Sequence, residues 1–298
     1  MANKIELDED FTKAHHRAIF QQLFSTFRWS NPELLSFYEV TKLIKPEAEA
    51  YKGMQTIPVK QIIGSESRYH DFSSAFYPKN PSLQNRWQNV DAARIDNVDL
   101  PPISVYKLGQ VYFVRDGNHR VSVARSQGVE FIDAEVVELT SKIPLEEGIT
   151  LNEIKFRVVE YERKRFMDQF KPDYLPMDKI VFTAPGSYPE MVNHILVHKY
   201  YANQNQTEQM SFKEGAISWY NNVYLKIINA IEAEHLMASF PGQTQADMYM
   251  WLVKRWDIMK RENSLATEID AAKAAKDEFK DTSLQRWMNY ISQKFSRK

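Results

Sequence analysis

The stretch PPISVYKLGQVYFVRDGNHRVSVARSQG, residues 101–128, constrains the fold of this chain more than any other. Two apolar runs flank Gly109-Gln110, a two-residue turn with glycine first, which predicts a type II′ hairpin. The second run, Val111–Val114, is apolar at every position and so predicts a strand buried on both faces. A strand of that kind needs cover from two sides, which already points to a layered α and β architecture. VSVARSQG then reads as a short helix stopped by Gly128, and FIDAEVVEL as a further strand.

The rest of the chain places helices around this core. Residues 8–26 carry Phe11, Ala14, Ala18, Ile19, Leu23 and Phe24 at helical spacing. SNPELL predicts a second helix start, with Ser30 or Asn31 as cap and Pro32 at the first position. QTIPVKQIIG (55–64) reads as a short β-rich run, and SLQNRWQNVDAARI as a helix. Beyond Ile143 the pattern turns helical: Ser211 and Glu214 have capping-box spacing, Ile217, Tyr220, Tyr224, Ile227, Ile228 and Ile231 continue a stripe, and Thr244 caps a later helix. The expected class is α+β: an N-terminal helical arm (1–50), a small mixed-sheet domain (51–142) and an all-helical C-terminal half (143–298).

Between strand and helix lie Asp116, Gly117, Asn118, His119 and Arg120. Gly117 permits a sharp turn and close approach of a ligand, and the helix N-terminus offers unpaired N–H groups and a favourable dipole for an anion. Arg120 supplies a forked cation for phosphate oxygens, and His119 a group able to move a proton. Asp116 would oppose a bare anion; it suits a Mg²⁺ ligand or a proton acceptor. Asp-Gly-Asn is equally common turn chemistry, with Asn118 as a plain cap. The residues alone fit both readings.

The longer segment from IPVKQIIGSESRYHDF through FIDAEVVEL resembles the N-terminal domain shared by ParB partition proteins, sulfiredoxin and the free-serine kinases, over about a third of the chain. Gly117, His119 and Arg120 match the G-x-H-R turn, and Asp116 matches the aspartate of the serine kinases' D-G-H-H-R. GSESRYHDF, SWYNNVYL and FPGQTQADMYMWL look like a group of bacterial ParB-like proteins with a helical extension. The resemblance implies a ParB/sulfiredoxin-like fold that binds ATP or another nucleotide. It places phosphate on Gly117, Asn118, His119, Arg120 and Arg68, makes Asp116 and His119 catalytic with Mg²⁺ on Asp116, puts Arg68, His70 and Asp71 in the second wall, and offers Glu66 by position for the serine kinases' upstream glutamate. Asn118 stands where sulfiredoxins place their cysteine, which removes sulfinic-acid reduction. No helix-turn-helix follows, unlike in ParB. The functions implied are an NTPase or small-molecule kinase, a nucleotide-gated regulator whose helical half binds DNA or a protein partner, or, last, a nuclease; an oligomer is compatible with each.

Composition narrows this further. Lys+Arg 38 against Asp+Glu 39 gives a net charge of −1, a poor basis for binding nucleic acid by bulk charge. The absence of cysteine excludes thiol nucleophiles, Cys-ligated metals and disulfides. With no apolar N-terminal core and no long apolar run, the expectation is a cytoplasmic protein without a membrane span. Glu190, His194 and His198 share helical spacing but read as packed residues rather than ligands, His15 and His16 as surface. Trp219, Tyr220, Tyr224, Met248, Met250 and Trp251 read as core, and the lysines of the tail, interleaved with acids, as a solvated face.

Overall fold

A computed structural model describes residues 2–28, 33–204, 208–240, 242–262, 267 and 269–274. The expected cap at Ser30–Pro32 and the tail LQRWMNYISQKF lie outside these. The chain divides into two compact units, 1–158 and 159–298.

The first unit is a mixed α+β layer structure. Helix α1 (Lys4–Arg28) is followed by strand β1 (Leu35–Ser36), α2 (Phe37–Ile44), β2 (Ala48–Pro58), β3 (Ile62–Ser65), α3 (Gln84–Ile95), β4 (Ile103–Leu108), β5 (Val111–Asp116), α4 (Asn118–Ser126) and β6 (Phe131–Thr140). The sheet order is β1-β3-β5-β4-β6-β2. β4 and β5 form the expected antiparallel hairpin, Leu108 opposite Val111, and Gly109 has φ +63°. β3 runs parallel to β5, and β4 parallel to β6. β5 is buried on both faces as expected: Tyr112 and Val114 pack with Val121 and Ala124 of α4, while the Phe113 ring lies 5.8 Å from Phe37 of α2.

The sheet starts before residue 51, because β1 and β2 both belong to it. Among the described residues the second helix begins at Phe37, since Leu35 and Ser36 pair with Gly64 and Ser65 and only then does Ser36 cap. α1 is held through Phe11 and Ala14 against Trp87 and Val123. Ile19, expected on that stripe, is 43% exposed. His15 is half-buried rather than on the surface, its Nδ1 2.9 Å from the Pro78 carbonyl and its ring stacked on Phe11.

α5 (Leu151–Phe170) carries the division, and the second unit continues with α6 (Ser187–Asn203), α7 (Phe212–Trp219), a π-helical turn (Tyr220–Tyr224), α8 (Leu225–Ala233) and α9 (Gln245–Glu262). The capping box at Ser211 and Glu214 is present, and Thr244 caps α9 in a reciprocal pair with Asp247. The core gathers Trp219, Tyr224, Ile227, Ile231, Met248 and Tyr249; Trp251 departs from the expected stripe at 38% exposure. No helix among the described residues is long and apolar enough to cross a membrane.

Candidate functional site

Gly117 adopts φ +105° at the N-cap of α4, and a Cβ there would lie 2.5 Å from Ile103 Cγ2. Only glycine fits this backbone beside a fully buried isoleucine. Gly117 has no side chain with which to cap, and the first intrahelical bond runs from Val121 N–H to the Gly117 carbonyl. The N–H groups of Asn118, His119 and Arg120 therefore have no carbonyl partner within the helix and lie at its positive end.

The side chains on this turn diverge. Asn118 and His119 are buried, and Asn118 Oδ1 and His119 Nδ1 have no protein partner. The His119 ring stands edge-on to Phe72 at 5.5 Å. Burial, reinforced by the nearby Arg86 and Arg68 and opposed by Asp71, lowers its pKa to about 4, so the imidazole is neutral at pH 7. Arg68 donates to Asp71 at 3.0 Å and remains partly exposed. Arg86, on α3, is exposed and makes no hydrogen bond or ion pair among the described residues. Sequence reasoning missed it: a lone arginine within QNRW carries no motif, and only the fold sets it beside His119.

Arg120 takes another direction. Its guanidinium donates to the Pro102 carbonyl at 2.8 Å, to the Pro101 carbonyl, and to Asp116 Oδ2 at 2.5 Å. The arginine expected on phosphate is thus engaged in tying the lead into β4 to the turn. Asp116 keeps a largely exposed side chain. Of the candidates in GSESRYHDF, Asp71 and Arg68 reach the His119 neighbourhood, whereas Glu66 accepts from the Tyr38 hydroxyl at 2.9 Å and His70 is exposed against Tyr69. Glu66 and His70 are not gathered with the turn.

In the helical unit, Trp219 Nε1 donates to the Tyr249 hydroxyl at 3.1 Å, that hydroxyl lies 2.9 Å from His194 Nδ1, and His194 Nε2 lies 3.5 Å from Glu190. His198 Nε2 is 2.9 Å from the Ser218 hydroxyl. These histidines are packed residues, and among the described residues no group of three or more His, Asp or Glu forms a metal site.

No protein-family model matches the chain, and no curated protein matches it. Among solved structures it is similar to a Pnob8-like ParB-N domain, at 9% identity over 80% of this chain and 98% of that one. The TM-score is 0.23, so this likeness carries no argument about fold or activity.

Proposed function

We propose that the Asp116–Arg120 turn binds the phosphate end of a nucleotide, ATP or a related one. The observation that supports this most is that the uncapped start of α4 holds His119, on which the charges of Arg68 and Arg86 both act. A helix N-terminus with two guanidinium groups beside it is a strong anion seat. A donor on the ligand, such as a sugar hydroxyl or a phosphate-bound water, would also offset the cost of the partnerless His119 Nδ1 and Asn118 Oδ1.

The donor set fits Mg²⁺ only as a shared ion: the turn offers one exposed carboxylate, Asp116, and Mg²⁺ habitually takes one or two carboxylates with phosphate oxygens and water. Mg²⁺ would neutralise phosphate charge. Asp116 would hold it or accept a proton from an attacking hydroxyl, and neutral His119 would accept a proton at Nδ1. Asp116 can do this through Oδ1 while Oδ2 keeps Arg120, whose guanidinium stays tied to the Pro101 and Pro102 carbonyls and lends its charge to the phosphate from there. The outcome in this reading is hydrolysis or phosphoryl transfer.

The test is calorimetric titration of ATP, ADP, CTP and GTP with Mg²⁺, alongside phosphate release. Arg86→Ala and Arg120→Ala should each weaken binding roughly ten- to a hundredfold. Asp116→Asn should keep binding and lose turnover. Binding without turnover in the wild type would favour a nucleotide-gated regulator instead, and absence of binding to any of the four would overturn the reading.

A further inference from the structure

A separate cavity of about 210 Å³ opens between α3, the Leu100–Pro102 lead into β4, the first turns of α4 and the start of β6. It holds roughly seven waters' worth of volume, the size of a ligand of about a dozen non-hydrogen atoms. Arg94 lines it and makes no side-chain hydrogen bond or ion pair among the described residues. Arg120 lines it too, but its guanidinium is fixed by two proline carbonyls and Asp116. The third charge is Asp133, whose Oδ1 accepts from the Thr56 hydroxyl at 2.7 Å. Around these the lining is apolar, and two of its members, Leu100 and Phe131, are 37% and 55% exposed.

The Arg120 charge is met by Asp116, so Arg94 is the one guanidinium of the lining left to a ligand, facing the single carboxylate of Asp133. One uncommitted cation suits a monoanion, and the second charge of a phosphate dianion would meet only repulsion from Asp133. Arg94 is the one guanidinium of the pair with its donors uncommitted, and its fork matches a carboxylate. Exposed Leu100 and Phe131 gain only if the ligand carries an apolar body to cover them. We infer that this cavity is a binding site for a small organic monocarboxylate with an apolar body, held by Arg94 and covering Leu100 and Phe131. The site does not rest on the nucleotide reading, although Arg120 borders both.

The probe is 3-phenylpropionate, with its neutral amide, 3-phenylpropanamide, and the dianion phenyl phosphate as controls. Binding is followed by amide chemical shifts of the full chain. The carboxylate should shift resonances in α3 and at residues 131–133, and the amide and the phosphate ester should each bind at least about tenfold more weakly. Arg94→Gln, a change at a half-buried helix position, should weaken the carboxylate about tenfold and leave the amide unchanged. Arg94→Lys should restore part of the loss. Equal binding of acid and amide, tighter binding of phenyl phosphate, no effect of Arg94→Gln, or no shifts at 131–133 would each overturn the proposal. Nucleotide titration of Arg94→Gln should match the wild type, which keeps this test separate from that of the turn.

Discussion

Asp91 and His119 are both buried, and each is pushed toward its neutral form. Burial, aided by Asp10 and Glu6, raises Asp91 to about 6, against a hydrogen bond from Gln127 at 2.5 Å and the charge of Arg94. Burial lowers His119 to about 4. Their contributions to stability run in opposite directions over one pH window. Asp91 has a folded pKa above its unfolded value, so its contribution is full below about 4 and is lost as pH rises through 6. His119 has a depressed pKa, so its contribution is full above about 6.5 and is lost as pH falls toward 4. Each is on the order of 3 kcal/mol, and the two nearly cancel. Relative to the wild type, Asp91→Asn should therefore lose stability as pH falls from 7 to 4.5, whereas His119→Gln should gain it. Urea midpoints of the three proteins across this range check the signs; parallel curves would show that neither group is shifted.

At the scale of elements, the strand–helix junction depends on Gly117. Gly117→Ala should cost on the order of 2–4 kcal/mol, because a φ of +105° is strained for alanine and Ile103 cannot yield. Gly128 has φ +70° with nothing within 4 Å of an added Cβ, so Gly128→Ala should cost only about 1 kcal/mol. Denaturant midpoints of the two variants separate backbone strain from the clash. Much of this level was legible in the sequence: the Gly109 hairpin, the doubly buried β5, the short α4 and the Ser211 cap are local signals. β1 was not, since two residues carry no periodicity, and neither was the π-helical turn at Tyr220–Tyr224. That turn brings Trp219 and Tyr224 into contact at 5.3 Å across five positions, a spacing no 3.6-residue template expects. The site divides the same way. The turn residues were visible, but the commitment of Arg120 to proline carbonyls and the approach of Arg86 depend on tertiary placement.

For the molecule as a whole, two cores with no shared residue predict two separable stabilities. Ile231→Ala, at a fully buried position of the helical unit, should destabilise that unit by about 2–5 kcal/mol. Amide protection in Val111–Val114 should stay unchanged, as native-state hydrogen exchange would show; a parallel fall in β5 would mean that the units unfold together. Within the first unit, β2 has one neighbour in the sheet, β6, and its partners arrive roughly 70–90 residues later in the chain. During synthesis at about 5–20 residues per second, β2 would leave the ribosome some 4–18 s before anything can pair with it. An eleven-residue strand that must wait so long is a natural client for a nascent-chain chaperone, and its charged Glu49 and Lys52 and its bulge beside Gly53 are the features that keep a waiting edge from pairing with the wrong chain.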